Sequence, residues 1–288
     1  MNLSISTAED IAESRRFLLE KGRACYRELP WRGSVSPWAI LVSEIMLQQT
    51  QVSRVSAIYP RWIESFPVPS ALARLPVSDV LAAWSGLGYN RRALSLHKTA
   101  KILAEEYEDK VPASEEALRN LPGIGTYTAR AVLAFAFNLP SVFLETNIRT
   151  VFIRHFCSAE EHVGDKGLER IGEALLDVEN PRQWYTALMD YGAWLKVHES
   201  NFGKKASMYR PQSPFKGSER ELRGAILKKL LQTSPQTFVD LAYQVAADVE
   251  RVSACAEKLE KEGFVHILRD DSFVSDSEGT LVGLADSV

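Results

Sequence analysis

Apolar positions along most of the chain recur three and four residues apart, the spacing of one helical face. Ile11, Phe17, Leu18 and Cys25 mark a helix over 9–28, with charges between them. The same pattern predicts helices over 37–50, 53–65, 70–75, 77–84, 90–107, 114–119, 126–138, 146–157, 166–178 and 181–196. Proline and glycine punctuate them at Pro30, Pro67, Pro69, Pro76, Gly86, Gly88 and Pro112. Pro37 suits a first helical turn, and Ser78, Asp79 and Ser114 suit helix caps.

Past residue 197 the texture changes. Residues 198–217 have few apolar anchors and the composition of a linker. Helices follow over 219–232, 236–246 and 248–262, and then 264–268 and 272–274 alternate like two strands around Asp270 and Asp271. Three helices and a terminal hairpin form a winged-helix pattern.

Composition narrows the class. A chain of 288 residues, 45% hydrophobic and 25% charged, is globular and long enough for two or three domains. It has no apolar run of 18 residues, and 1–15 lack a basic start and an apolar block, so a cytoplasmic protein without a signal peptide or membrane span is expected. Cys25, Cys157 and Cys255 lie far apart, and His97, His155, His162, His198 and His266 form no close pair, so no metal site is expected. The net charge of −3 does not announce a nucleic-acid partner. A local patch does: residues 196–231 hold nine Lys/Arg against three Glu.

Two places carry chemistry on residue grounds. Leu121, Pro122, Gly123, Ile124 and Gly125 make a tight turn, and an apolar helix starts at Thr126. The free N–H groups of that helix face the turn, which makes a sequence-independent seat for a phosphate. Glu44 stands in a helix that is otherwise apolar (Ile40, Leu41, Val42, Ile45, Met46, Leu47). Such surroundings disfavour the carboxylate, so its pKa should rise and the neutral acid can donate a proton to a leaving group.

These residues carry a family resemblance. The 121–129 stretch resembles the helix–hairpin–helix of the base-excision DNA glycosylases. Residues 43–52 (SEIMLQQTQV), with Pro30-Trp31 before them and Trp84 to Tyr89, Leu96, His97 and Lys98 after them, resemble the adenine-specific MutY group. The likeness spans roughly 10–196. It implies an all-α fold of two helical subdomains with a cleft. Residues 1–36 with 144–197 would form one, equivalent to an iron–sulfur subdomain, and 37–143 a six-helix subdomain with the hairpin. A basic linker (198–217) and a winged-helix-like module (218–288) would follow.

The resemblance also implies roles. Glu44 becomes the acid or water activator. Glu145 falls where the family has an aspartate facing the sugar, and Thr146 where it has glycine; Asn147 matches. The longer carboxylate is expected to reshape the pocket, change the preferred base or weaken activity. Tyr127 stands where strand-cleaving relatives such as endonuclease III carry a Schiff-base lysine, so a monofunctional enzyme with Tyr127 as pocket wall is expected. Gln48 and Gln49 would fill the gap left by the flipped base, Tyr89 would wedge beside the opposite base, and Arg91 and Arg92 would touch phosphates. Gly123, Gly125, Thr126, Asn147, Lys204 and Lys205 complete the expected DNA contacts.

Two family features are missing. Lys196 stands near the place of the first cluster cysteine, and no cysteine occurs between 158 and 254, so no 4Fe–4S cluster is expected. A monovalent cation at the hairpin is the one candidate ion. The tail reads as a winged helix rather than the nudix-like domain that inspects 8-oxoguanine. The expected activity is removal of a mispaired base from double-stranded DNA by a monomer, foremost adenine opposite guanine or 8-oxoguanine. Thymine or uracil opposite guanine and hypoxanthine are alternative substrates, and a catalytically silent sensor of damaged DNA is the rival of another class. The cellular location would be cytoplasmic, on the nucleoid in a bacterium.

Overall fold

The structure is a computed structural model that describes residues 4–33, 36–211, 213–268 and 280–285. These residues form a mostly helical chain that packs as two compact units, one of 1–45 with 111–211 and one of 46–110 with 212–288. The bounds are not those of the expected subdomains: the 121–125 turn lies with the terminal helices of the first unit.

The first unit holds α1 (Ala8–Ala24), most of α2 (Pro37–Leu47), α7 (Glu115–Arg119), α8 (Thr126–Phe137), α9 (Thr146–Phe156), α10 (Asp165–Leu175) and α11 (Pro181–His198). A reciprocal cap starts α1: Thr7 accepts from the Asp10 amide while Asp10 accepts from the Thr7 amide. Ser114 caps α7 as expected. The core gathers Leu18, Ala131, Phe152, Leu168, Trp184 and Leu188, where truncating one large side chain costs about 2–5 kcal/mol. Beside it, the buried Asp190 carboxylate on α11 takes Arg27 at 2.7 Å and Arg32 at 2.5 Å. That pairing ties the segment before α2 to α11, and removing one partner of such a buried group costs about 3–5 kcal/mol.

The second unit holds α3 (Val52–Ser65), α4 (Pro69–Ala73), α5 (Val77–Ala83) and α6 (Arg91–Glu106). It also holds α12 (Glu219–Leu230), β1 (Gln236–Thr237), α13 (Phe238–Val245), α14 (Val249–Lys261), β2 (Val265–Leu268) and β3 (Leu281–Leu284). The strands are antiparallel in the order β1–β3–β2, with Val265 opposite Leu284 and Gln236 opposite Val282. Ile226, Leu241, Val252, Leu259, Phe264 and Val282 fill the space between sheet and helices.

Three local expectations are corrected, and a fourth falls outside the described residues. Residues 236–237 are a strand, not a helix start, because the Thr237 side chain accepts the Asp240 amide and begins α13 one residue later. The partner of 265–268 is β3, further along the chain, and the 272–274 strand expected there lies outside the described residues. Ser78 and Asp79 fall inside α5, whose N-cap is Pro76. The first half of the expected linker is folded: Phe202–Lys205 form a 3-10 turn, Ala206 is buried, and its backbone bridges to Val163. Its few apolar residues sufficed because Gly203 lets the chain approach Thr150 closely. Among the described residues no helix is long and apolar enough to cross a membrane.

Candidate active site

Glu44 lies on α2 with only 7% of its surface exposed, because Ile40, Leu41, Val42, Ile45 and Met46 bury the helix on all sides. The apolar sequence around Glu44 therefore does what elementary solvation predicts. Burial raises its pKa to about 7, the charge of Glu145 adds to the rise, and a hydrogen bond with the Tyr127 hydroxyl opposes it. Glu44 therefore keeps its proton to a higher pH than an ordinary glutamate. Tyr127, in the first turn of α8, is itself held neutral, by burial first and then by the two carboxylates. Its ring rests edge-on against Phe143, 5.6 Å between centroids.

Glu145 is the N-cap of α9, with an extended backbone. One carboxylate oxygen accepts the Asn147 amide at 2.6 Å and the other the Thr146 hydroxyl at 2.5 Å. The cap and the electrostatic link to Glu44 coexist: the same carboxylate starts α9 and raises the pKa of Glu44. The hydroxyl of Thr146, absent from the glycine in the family pattern, is what grips the longer side chain. Arg149 braces the same turn through the Leu144 carbonyl at 3.0 Å and Asp165 at 2.8 Å. Gly192 on α11 faces Asn147 so closely that a Cβ there would overlap the Asn147 carbonyl. Lys196, one turn on, has its pKa lowered by burial, with the Glu145 charge opposing. In the sequence Lys196 reads as part of the basic patch and as the residue near a missing cysteine, and nothing there marks its link to Glu145.

The 121–125 turn keeps the geometry that its glycines suggested. Gly123 has φ +78°, a conformation that favours glycine. Gly125 is the N-cap of α8, carries no side chain to satisfy the first amides, and has open space where a Cβ would stand. Gly123, Gly125 and Thr126 are exposed. An anion can approach this helix end, where the amides and the helix dipole favour it.

In the second unit, Gln48 and Gln49 follow the end of α2. Gln49 is exposed and has φ +54°. Tyr89 is half-buried with φ +49°. Arg91 pairs with Glu262 at 2.6 Å while its own side chain stays mostly exposed. Arg92 departs from the phosphate role expected of it. Its buried guanidinium donates to the carbonyls of Met46 (2.8 Å), Gln48 (2.5 Å) and Gly88 (2.9 Å) and to the Thr50 hydroxyl (2.8 Å). The carbonyls at the end of α2 and around Gly88 need donors, and Arg92 supplies them.

Lys204 is exposed, whereas the Lys205 ammonium donates to the carbonyls of Ser158 and Glu160, both at 3.0 Å. The residues at the end of α11 do not fit a four-cysteine cluster. Lys196 stands near the place the resemblance gives to the first ligand, Cys25 and Cys157 are single free thiols, and the third, Cys255, belongs to the other unit. Among the described residues no group of three or more His, Cys, Asp or Glu is arranged to hold a metal.

Residues 42–175 match the model of the HhH-GPD superfamily of base excision DNA repair proteins. The chain is 35% identical to the adenine DNA glycosylase of Mycobacterium tuberculosis (strain CDC 1551 / Oshkosh), an alignment that covers 88% of this chain and 90% of that one. It is 36% identical to the adenine DNA glycosylase of Mycolicibacterium smegmatis, covering 88% and 92%. A solved thermostable thymine-DNA glycosylase superposes with a TM-score of 0.58 at 26% identity, over 69% of this chain and 97% of that one.

Proposed function

As this chain belongs to the HhH-GPD superfamily of base excision DNA repair proteins and is a DNA N-glycosylase, we propose that it removes adenine mispaired with guanine or 8-oxoguanine from duplex DNA without cutting the strand. The observation that carries the reading is Glu44 buried among aliphatic side chains, its pKa raised by that burial and by the charge of Glu145. The names of the mycobacterial relatives support adenine as the base.

The base inside a duplex is out of reach, so it is first flipped out. Gln48 and Gln49 fill the gap, Tyr89 lies beside the opposite base, and the amides at Gly125 and Thr126 hold a backbone phosphate, with Arg91 and Lys204 adding positive charge. Protonated Glu44 then gives its proton to the departing base. The N-glycosidic bond breaks, its electron pair leaves with the base, and the sugar becomes oxocarbenium-like. Glu145 stabilises that cation, as the second carboxylate does in glycoside hydrolysis. Water adds to the anomeric carbon and returns a proton to Glu44. Tyr127 offers no amine for a Schiff base, so the product is an intact abasic strand.

A second reading, thymine opposite guanine, is favoured by the likeness to the thymine-DNA glycosylase at 26% identity. One assay separates them. The purified chain is incubated with duplexes carrying labelled adenine, thymine, uracil or hypoxanthine opposite guanine or 8-oxoguanine, and abasic sites are cleaved with hot alkali. Adenine release that Glu44→Gln and Glu145→Gln abolish supports the first reading. Release of thymine but not adenine replaces it with the second.

A further inference from the structure

Tyr89 is held by more than its own loop. Its backbone sits at φ +49°, uncommon for an aromatic residue, and needs surrounding contacts to persist. Two guanidinium carbons face the ring, Arg92 at 5.5 Å and Arg220 at 5.8 Å from its centroid. One nitrogen of Arg220 donates to the Tyr89 hydroxyl at 2.6 Å. The other donates to the Ser213 carbonyl at 2.7 Å and the Ser213 hydroxyl at 3.1 Å. Arg220 stands in the first turn of α12, so the C-terminal part of the chain grips a residue 131 positions earlier. A second grip lies alongside. Arg91, at the start of α6, and Arg223, on α12, both bond the two oxygens of Glu262 after α14, at 2.5 to 2.9 Å.

We propose that Arg220 is a positioning residue: it fixes the Tyr89 ring and so makes the C-terminal module a determinant of which opposite base is preferred. The proposal rests on the reading of Tyr89 as neighbour of that base. A tyrosine inserted into a stack discriminates when its ring cannot shift to suit a second partner; a free ring re-packs against either base and narrows the difference between them. Arg220 restrains the ring through its hydroxyl and over its face. The planar fork is essential, since one nitrogen takes the phenol while the other is anchored to Ser213; a lysine ammonium cannot span both in that geometry. Charge alone would strengthen binding to all duplexes alike.

The test uses the full chain and equilibrium binding to two duplexes. Both carry non-hydrolysable 2′-fluoro-2′-deoxyadenosine, one opposite 8-oxoguanine and one opposite cytosine, and the readout is the ratio of the two Kd values. The wild type is expected to prefer 8-oxoguanine. Arg220→Ala should shrink that ratio about tenfold, and Arg220→Lys should fail to restore it. Tyr89→Phe, which removes only the hydroxyl and leaves the fold intact, should lower the ratio in the same direction. Adding Arg220→Lys to Tyr89→Phe should lower it little further, since both break one contact. Equal binding of both duplexes by the wild type overturns the proposal. So does an unchanged ratio in Tyr89→Phe or Arg220→Lys, or a uniform weakening on both duplexes. The adenine-release assay is separate: a wild type that shows the preference but frees no adenine sinks the proposed substrate and leaves the role of Arg220 standing.

Discussion

Glu44 in the first unit and Glu262 in the second are both carboxylates with little access to water, yet they titrate in opposite directions. Glu44 is enclosed by aliphatic side chains and a second carboxylate, and its pKa rises to about 7. Glu262 receives two guanidiniums, Arg91 foremost, and its pKa falls to about 2. The difference is the company each keeps. A buried carboxyl with no cation to satisfy it costs stability and becomes an acid usable at neutral pH. A carboxylate between two arginines has no proton to give and ties three helices of its unit together instead.

The largest effect that breaks this contrast is on the chemistry. Glu44→Gln removes the acid, and single-turnover base release should drop about 10²- to 10⁴-fold. The same change should stabilise the protein in alkaline solution. In the native state Glu44 holds its proton up to about 7, against 4.5 for an ordinary glutamate. Wild-type stability therefore falls as pH rises from about 4.5 to about 7, by up to about 3 kcal/mol. Glutamine has no such loss, so urea unfolding at pH 8 should show Glu44→Gln as the more stable chain, with the advantage gone at pH 4. An equal stability at both pH values would mean that Glu44 is not buried as a neutral acid.

Glu262 has the opposite sign. Its stabilisation is complete above the ordinary carboxyl pKa and is lost as pH falls toward about 2. Glu262→Gln should cost about 1–2 kcal/mol at pH 7, less than the shift alone suggests because exposed Arg91 is screened. Thermal melting of the variant should depend less steeply on pH in the acid range than that of the wild type. The smallest effect sharpens the Glu44 side. Wild-type base release should decline as pH rises through about 7, where Glu44 gives up its proton. Tyr127→Phe removes a hydrogen bond that favours the ionised form, so this limb should move to higher pH in a pH–rate profile.

Much of the first region is legible in the sequence, because its determinants are local. A lone glutamate among apolar residues at helical spacing announces a shifted pKa. A turn with two glycines before an apolar helix announces an open helix end. Glu145 was legible as a position but not as a geometry, since the grip of Thr146 depends on rotamers that spacing does not encode. The second region was hardly legible. Arg91 and Arg92 look alike in sequence, yet one is surface-exposed and pairs with Glu262, while the other is buried among carbonyls. What separates them is a partner chosen by the fold. Arg220 and Tyr89 lie 131 positions apart, and no periodicity joins them. The strand at 281–284 escaped for a related reason: pairing with β2 follows register, not proximity along the chain.

Gly192 has a consequence for heredity. Its hydrogen atom is all that fits against the Asn147 carbonyl, and Asn147 sits two residues past Glu145. A single methyl at position 192 would push the start of α9, and with it the carboxylate, away from where it is needed. In a genetic screen for lost repair, Gly192→Ala should therefore fall among the alleles that damage the reacting groups themselves. It is the mildest chemical change on that roster, in a residue that takes no part in the reaction.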